Sequence, residues 1–404
     1  MGKQNHNLLT AIDVGSAKTC ALVAEITESG LRYCGHGCVE SRGFRKGIIV
    51  DLDRAVSSIQ KAVQEAEDSC GAPIERALAG VAGSHIRGLN SQGGIVLGAK
   101  PREITREDVR QAVERARAIA LPADRQVLHL LPQEFILDEQ PGVHEPAGMM
   151  AAKLEVKVHV VTAAATATQN VVTALNRAGV HVADTIFEAL ACADSVLRTD
   201  ERELGVCVAD IGAGSTDIVV FHEGAVTHTG VVPVGGDHFT NDLAVGLRTP
   251  IPEAEKIKRQ HGTAWHEQIT EDKGIEIASV GDRPPRTVFA RMLNEIIEPR
   301  AQELLTLVRD ELKRAGLDTQ IPAGLVLAGG GANLSGLVEL AEHMFSLPVR
   351  VAVPRGPEGM PESLSRPEYA TAVGLLLYGA HARRTAAQRP VTFVSKLKSM
   401  FAGQ

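Results

Sequence analysis

Two short segments of the chain carry residue types that bind phosphate and a divalent cation. Each places an aspartate two residues before a glycine, in a turn between two apolar runs, at Asp13 and at Asp210. Apolar runs on both sides of a small-residue turn predict a buried β-hairpin. Backbone N–H groups in such turns can contact phosphates, and two carboxylates can hold a hydrated Mg²⁺. The expected phosphate donors are the N–H groups of Gly15, Ser16, Gly212 and Gly214.

The two segments align with each other at one constant separation along the chain. The aligned pairs are Asp13 with Asp210, Gly15 with Gly212, Thr19 with Thr216 and Val23 with Val220. One Asp-x-Gly could be an ordinary β-turn, but two in the same strand-turn-strand pattern indicate an internally duplicated fold. Two related halves that face each other would form a cleft between the two aspartates.

A third glycine cluster, Gly329-Gly330-Gly331, follows an apolar run and precedes a helical pattern. Glycine lets a backbone approach a ligand closely, and a helix N-terminus presents free N–H groups. The chain contains neither the GxxxxGK[ST] string of a P-loop nor the GxGxxG string of a dinucleotide fold. Both of those common phosphate-binding loops are therefore excluded.

Length and composition indicate several globular domains. The chain has 404 residues, of which 44% are apolar and 23% charged, and its net charge of −7 argues against nucleic-acid binding over the whole surface. No apolar run approaches the ~20 residues of a membrane span, so we expect a cytosolic body. Six cysteines are too few for a disulfide framework, and we expect them to be reduced.

Strand and helix patterns alternate along most of the chain, which predicts a mixed α/β fold. Residues 85–161 stand apart, with a strand, a helix that opens at Thr105-x-x-Asp108 and two further strands, so we expect an inserted β-α-β-β subdomain. Residues 239–315 are charged and largely helical in pattern. Residues 366–379 form a small-residue helix that could pack closely against another helix.

These segments together resemble the actin-like ATPase superfamily, which includes the nucleotide domain of Hsp70 and the sugar kinases. The five regions of its pattern appear in order: phosphate 1 at residues 13–19, connect 1 at 162–178, phosphate 2 at 210–217, adenosine at 327–333 and connect 2 at 369–379. The resemblance implies an α/β, duplicated two-lobed fold of the actin/Hsp70 type that binds ATP and Mg²⁺ between its lobes.

Within that fold the resemblance gives roles to individual residues. Asp13 and Asp210 would hold Mg²⁺ through water, and the catalytic residues would be Asp210 and Glu188, with Glu188 positioning the attacking water. The residues expected to bind the nucleotide are Asp13, Gly15, Ser16, Lys18, Gly212, Gly214, Ser215, Thr216, Glu255, Lys258, Gly329, Gly330, Gly331 and Asn333. Glu188 could instead be a solvated helix-start glutamate, and Glu255 with Lys258 an ordinary i, i+3 surface pair. We expect a slow Mg-dependent ATPase at most.

The chain also resembles the bacterial cell-division branch of that superfamily. The likeness rests on the insertion, a basic tail and the strings Ile12-Asp-Val-Gly-Ser16, Arg283-Pro-Pro-Arg286 and Ile297-Glu-Pro-Arg300. It implies a protein that polymerises on the inner face of the cytoplasmic membrane at the division site, anchors filaments of the tubulin-like protein FtsZ there and recruits later division proteins. Arg286 and Arg300 would clamp carboxylates of the acidic FtsZ tail, although each could belong to a salt-bridged helix surface.

The end of the chain predicts an amphipathic helix on anionic lipid. At about 100° per residue the apolar side chains fall on one stripe and lysines flank it. The residues expected to touch the membrane are Phe393, Val394, Lys396, Leu397, Lys398, Met400 and Phe401. Lysine stems at the edge of such a stripe reach anionic headgroups. The alternative is a tail packed against its own domain.

Two other functions share this fold. A pilus-assembly ATPase would have the same core without the tail, and a small-molecule kinase would need a cluster of acids, Trp or Arg facing a cleft, which the inserted segment does not show. The expected domain division is lobe I at 1–84 and 162–196 with its closing helix at 366–382, and the insertion at 85–161. Lobe II has its core at 197–238 and 316–365 and its outer helical part at 239–315, and a linker with the membrane helix follows at 383–404.

Overall fold

Two antiparallel hairpins with the same register lie at the centre of the structure. In the first, β1 (Leu8–Val14) pairs with β2 (Lys18–Ile26), and Asp13 lies opposite Cys20. In the second, β14 (Val206–Ile211) pairs with β15 (Thr216–His222), and Asp210 lies opposite Asp217. Because both aspartates hold the same place in matching hairpins, the predicted duplication is confirmed.

The computed structural model of the chain describes residues 7–269, 271–281 and 283–387. Within this part, each hairpin belongs to a five-stranded mixed sheet, and the two sheets are the cores of lobe I and lobe II. The first sheet adds β3 (Leu31–Glu40), β6 (Arg76–Val81) and β13 (His181–Phe187), in the order β13-β6-β1-β2-β3. The second adds β16 (Ala225–Val232), β19 (Leu325–Ala328) and β20 (Val349–Val351), in the order β16-β15-β14-β19-β20.

Amphipathic helices cover the lobe I sheet. Helix α1 (Leu52–Cys70) begins at the N-cap residue Asp51, whose side chain accepts the backbone N–H of Arg54, and ends at Gly71 with a φ of +69°. Its apolar face packs into the core with the sheet, and α3 (Ala165–Arg177) lies beside it. A short hairpin of β4 (Phe44–Arg45) and β5 (Ile48–Ile49) precedes α1.

The inserted subdomain is a sheet covered by helix α2 (Arg106–Arg117). Its strands are β7 (Arg87–Val96), β9 (Arg125–Leu137), β10 (Gln140–Val143) and β12 (Lys153–Ala164), in the order β10-β9-β12-β7, with a short hairpin of β8 (Arg102–Glu103) and β11 (Met150–Ala151). The capping box at the start of α2 is formed: the Thr105 hydroxyl accepts the Asp108 N–H, and the Asp108 carboxylate accepts the Thr105 N–H. The expected β-α-β-β unit is therefore present, with short strands added.

The outer part of lobe II contains α6 (Gly236–Gly246), α7 (Ile251–His261) and α8 (Ala290–Arg314). Between α7 and α8 the chain also forms a hairpin of β17 (Gly274–Ile277) and β18 (Arg286–Phe289), so this region is less helical than expected. The physical reason is a period-two pattern in β17, where buried Ile275 and Ile277 alternate with exposed neighbours. The remaining helices of lobe II are α5 (Thr199–Leu204) and α9 (Leu337–Phe345).

Helices α4 (Glu188–Val196) and α10 (Ala370–Ala387) pack against each other where the lobes meet. Gly374 of α10 lies so close to α4 that a Cβ atom would stand 1.7 Å from the carbonyl oxygen of Ala191, so only glycine fits. The close packing expected for residues 366–379 is confirmed. The expectation that connect 1 lies at residues 162–178 is wrong. The helix in that range, α3, packs on α1 inside lobe I, and the helix that meets α10 is α4.

One disulfide and a longer closing helix differ from what the sequence predicts. Cys20 and Cys38 are joined as a disulfide, contrary to the expectation that all cysteines are reduced, because the pairing of β2 with β3 places the two residues directly opposite each other. Helix α10 continues to Ala387, into the segment expected to be a linker. Among the described residues, no helix is long and apolar enough to cross a membrane.

Candidate functional site

Buried carboxylates from both lobes meet in the cleft between the two hairpins. They belong to Asp13 at the end of β1, Glu188 at the start of α4, Asp210 in β14 and Asp217 in β15, and their residues are 6%, 9%, 8% and 5% exposed. Lys18, at the start of β2, lowers the pKa of both Asp13 and Asp210 by its positive charge. The hairpin register thus brings acidic groups from distant parts of the chain into one site.

Burial is the main influence on the charge of this cluster. It raises the pKa of Asp13 to about 7, with Lys18 opposing and Asp210 adding to the rise. It also raises the pKa of Asp210, and it raises the pKa of Glu188 and Asp217 well above their usual range. Burial lowers the pKa of Lys18 to about 8. Since each of these shifts opposes ionisation, a bound cation would stabilise the charged carboxylates.

The donor set fits a hard divalent cation. The Oδ1 atom of Asp217 is buried without a hydrogen-bond partner, whereas Oδ2 of Asp210 accepts the Thr371 hydroxyl at 2.6 Å. Mg²⁺ prefers carboxylate oxygens as ligands, and an unpaired one beside further acidic groups is available to it. Because Mg²⁺ retains several of its waters, the other acidic groups can bind it through water. In the part of the chain that the structure describes, no group of three or more His, Cys, Asp or Glu side chains is placed to hold a metal ion directly.

The turns of the two hairpins are closed by matching hydrogen bonds. The Gly15 N–H donates to the Lys18 carbonyl at 3.0 Å, and the Gly212 N–H donates to the Ser215 carbonyl at 2.9 Å. The expectation that these two N–H groups point at phosphates is therefore wrong, because each is already used inside its own turn. The Ser16 hydroxyl accepts the Gly47 N–H at 2.9 Å.

Gly214 brings the second hairpin against lobe I. A Cβ atom at this position would stand 2.5 Å from the Cα atom of Lys46, so the backbones of the two lobes touch here. Ser215 is buried beside it. Thr216 is fully buried and its hydroxyl donates to the Val234 carbonyl. Its side chain therefore does not face the cleft, contrary to the expectation that it binds the nucleotide. The reason is strand alternation, which places Thr216 and Asp217 on opposite faces of β15.

The three glycines at residues 329–331, at the start of a 3₁₀ turn, have two different environments. Cβ atoms at Gly329 and Gly331 would stand 2.4 Å and 2.3 Å from atoms of Asp210 or Ile211, so these two glycines are required for packing against β14. Gly330 is exposed, and a Cβ atom there would meet no clash, since its nearest neighbour would be the Glu368 Cβ at 3.9 Å. Asn333 donates to the Glu368 carboxylate at 2.9 Å.

Lys18 connects the first hairpin to the segment beside Gly330. Its ammonium group donates to the Glu368 carbonyl and lies 3.6 Å from the centre of the Tyr369 ring. Lys18 therefore links the acidic cluster to the segment that contains Glu368 and Tyr369.

Glu255 and Lys258 lie on α7 next to the turn of the second hairpin. Their ion pair is 2.6 Å long, and the Lys258 ammonium also donates to the Gly236 carbonyl at 3.0 Å. The N–H of Gly236 donates in turn to the Gly212 carbonyl. Burial alone would raise the pKa of Glu255, but the charge of Lys258 and hydrogen bonds, including one from Thr240, lower it to about 2.

Arg286 and Arg300 make contacts in and directly after helix α6. Arg286 donates to the carbonyl of Leu247, the residue that follows α6. Arg300 pairs with Asp242 of α6 at 2.6 Å and with Glu303. The residues expected to touch the membrane lie outside the described residues: Phe393, Val394, Lys396, Leu397, Lys398, Met400 and Phe401.

Two groups were not singled out from the sequence. Asp217 aligns with Cys20 in the internal duplication, so the comparison of the two hairpins gave no sign of a carboxylate there. No sequence pattern around Thr371 indicates a role in the site, although its hydroxyl donates a hydrogen bond to Asp210. The available clue was the strand pairing, because a hairpin with this turn places Asp217 directly opposite Asp210.

Comparison with known proteins gives clear matches. A family model described as "Cell division protein FtsA" matches residues 207–374, and one described as "SHS2 domain inserted in FTSA" matches residues 83–162. The chain is 46% identical over 377 residues to cell division protein FtsA of Pseudomonas aeruginosa, covering 93% of this chain and 90% of that protein. It is 38% identical to the Escherichia coli protein of the same description, covering 93% and 91%.

Solved structures of low sequence identity share the fold. A chain of a PilM-PilN type IV pilus biogenesis complex is 18% identical with a TM-score of 0.64, covering 92% of this chain and 98% of that one. MreB5 of Spiroplasma citri, bound to ADP, is 14% identical with a TM-score of 0.57, covering 95% and 99%. These likenesses confirm the expected actin-like architecture.

The raised pKa of Asp13 predicts a specific pH dependence of stability. Between about pH 4 and pH 7 the folded chain keeps a proton on Asp13 that the unfolded chain has released, so the free energy of unfolding falls as the pH rises. Asp13→Asn should remove this part of the slope and stabilise the nucleotide-free protein above pH 7 by roughly 1–4 kcal/mol. Urea denaturation in EDTA from pH 4 to 8 measures both effects. The exposed Asp53→Asn is the control, and an unchanged slope in Asp13→Asn would contradict the prediction.

Proposed function

This chain belongs to the FtsA family of cell-division proteins, and from that premise we propose that it binds ATP with Mg²⁺ in the cleft between its lobes. Family membership makes it an actin-like protein of cell division. The observation that carries the proposal is the pair of matching hairpins, which places Asp13 and Asp210 in one buried acidic cluster. Relatives that are 46% and 38% identical are cell-division proteins, which favours this function over pilus assembly.

The residues around the cluster give the proposed binding mode. Asp13 and Asp210 would hold Mg²⁺ through its waters, with Asp217 as a further acid, and the ion would supply the positive charge that lets these groups ionise. Lys18, Ser16 and Gly214 would contact the phosphates. Gly15 and Gly212 would shape the two turns without donating their N–H groups to the phosphates, and Ser215 would add a contact beside them. Further contacts are proposed for Glu255 and Lys258 on the ribose side, and for Gly329, Gly330, Gly331 and Asn333 on the adenosine side.

Two considerations support this mode. MreB5 of Spiroplasma citri, which shares the fold, was solved bound to ADP and also to AMPPNP. Gly330 is exposed beside the cluster, where an adenine base could approach its backbone. Glu188 would position water for a slow hydrolysis, with Asp210 as the second catalytic carboxylate.

Two substitutions test the nucleotide site. Asp210→Ala removes a metal-organising carboxylate, and Gly330→Arg fills the space proposed for the base, so each should weaken MgATP binding by at least about tenfold. Isothermal titration calorimetry on the full chain measures the affinity. Gly98→Arg, which adds the same side chain to the inserted subdomain, should bind like the wild type. Equal affinity in all four proteins would refute the proposal.

We further propose that the outer part of lobe II docks the acidic C-terminal peptide of FtsZ. Arg286 contacts the residue that follows α6 and Arg300 contacts Asp242 within α6, which supports one docking surface. Arg300 is already paired with Asp242, so a peptide carboxylate would have to compete with that partner.

This competition gives a test in two directions. Arg286→Glu and Arg300→Glu should weaken binding of a labelled FtsZ peptide about tenfold, whereas Asp242→Asn should strengthen it, because it frees the Arg300 guanidinium. Fluorescence anisotropy measures the affinity, and Arg314→Glu, nearer the C-terminal end of α8, is the control. The docking proposal is wrong if none of the first three substitutions changes the affinity.

We also propose that the protein polymerises, with the insertion at residues 85–161 in the contact, on the cytoplasmic face of the membrane at the division site. There it would anchor FtsZ and recruit later division proteins. The proposed domain boundaries are those expected from the sequence, except that the closing helix extends to Ala387. The membrane contact rests on the sequence pattern of the tail.

The membrane contact of the tail is tested by adding negative charge to either face of the predicted helix. Phe393→Glu with Leu397→Glu puts charge on the apolar stripe and should release the protein from anionic vesicles, since each large apolar side chain contributes at most about 1.5–3 kcal/mol of burial. Ser395→Glu with Ser399→Glu adds equal charge to the polar face and should release less protein. Vesicle flotation measures both, and continued flotation of the first variant would show that the tail does not bind membrane.

A further inference from the structure

A histidine of the inserted subdomain reaches the element that carries Glu188. Nε2 of His129, in β9, accepts the backbone N–H of Phe187 at 2.9 Å, and both residues are buried. Phe187 is the last residue of β13 and immediately precedes Glu188, the first residue of α4. Helix α4 has no side-chain cap at this end. The histidine therefore satisfies a backbone donor at the point where the chain turns from the sheet into the cleft.

The His129 ring is in the protonation state that accepts this hydrogen bond at neutral pH. Burial lowers the pKa of His129 to about 4, so the ring is neutral at neutral pH. Since Nε2 accepts, the proton is on Nδ1, which lies 3.2 Å from the hydroxyl of Tyr378 in α10. Both ring nitrogens are thus engaged, and the tautomer is set by its two partners.

Glu188 depends on its backbone for its position. Among the described residues, none forms a hydrogen bond with its carboxyl group, which packs against Gly80, where a Cβ atom would stand only 2.7 Å from Oε1. A side chain without polar partners points where the start of its helix directs it. Movement at Phe187 would therefore move the carboxyl group within the cluster.

We propose that His129 is a positioning residue for Glu188, through which the inserted subdomain contributes to the nucleotide site. This inference rests on the proposed binding of MgATP in the cleft. A displaced Glu188 would leave the nucleotide contacts of the hairpins and of Gly330 in place and would change the geometry of the water that Glu188 is proposed to hold.

Two isosteric substitutions separate the two ring nitrogens. His129→Gln places an amide oxygen near the position of Nε2 and can still accept the Phe187 N–H. His129→Asn reaches only to the position of Nδ1 and leaves that N–H without a partner. Both variants are polar and lose the ring, but they also differ at the Nδ1 position, where only Asn can contact the Tyr378 hydroxyl. Tyr378→Phe, which removes the Nδ1 partner, is a milder third variant.

The experiment combines crystal structures of the full chain with MgADP and single-turnover measurements with MgATP. His129→Asn should displace the Glu188 carboxyl group by about 1 Å and slow turnover by about 10- to 100-fold, while nucleotide affinity stays within about twofold of the wild type. His129→Gln should restore both position and rate. In a Glu188→Gln background, His129→Asn should slow turnover no further.

The outcomes separate this inference from the proposed function. A wild-type chain that does not bind MgATP would refute the proposed function. Normal binding with Glu188 unmoved in His129→Asn, or an additive loss of turnover in the double variant, would overturn the role of His129. His159→Phe is the control for loss of a buried histidine in the same subdomain, because the His159 ring bonds Asn90 and Thr229 and not the chain before Glu188. It should leave Glu188 in place.

Discussion

The burial of several carboxylates in one cleft is the constraint on which the rest of the structure depends. Each loses its hydration and is repelled by its neighbours, so the folded chain tolerates them only when they are protonated or face a cation. Lys18 supplies positive charge to Asp13 and Asp210, and the matching hairpins hold these two acids in place. Stability alone would not favour such a cluster, and shifted ionisation of this kind is typical of a ligand site.

The sequence predicted the features that follow from local patterns or from self-similarity. The two hairpins, the inserted subdomain and the close packing of residues 366–379 each follow from apolar periodicity, small residues or a repeated motif. The same local logic failed at Gly15 and Gly212, because a turn N–H can serve either a ligand or the carbonyl that closes the turn. The sequence does not reveal which of these acceptors is used.

Contacts between distant segments could not be read from the sequence. Thr371 holds Asp210 across 161 residues, and His129 accepts the Phe187 N–H across 58. No pattern within either segment indicates its partner, since the contact exists only after the sheets and helices have packed. Connect 1 was misplaced for the same reason: residues 162–178 have the expected helical pattern, but only packing shows that α4 meets α10.

The contact between Gly374 and Ala191 has a mechanical consequence. Helices α4 and α10 touch backbone to backbone where the two lobes meet, and no side chain lies between them there to be compressed or rearranged. Helix α4 also contacts β14 and β15 of lobe II, and α10 contacts β1, β2 and β6 of lobe I, so this backbone contact joins the two sheets. A shift of one sheet near the contact is therefore passed to the other through backbone atoms, because no side chain is present there to absorb it by repacking.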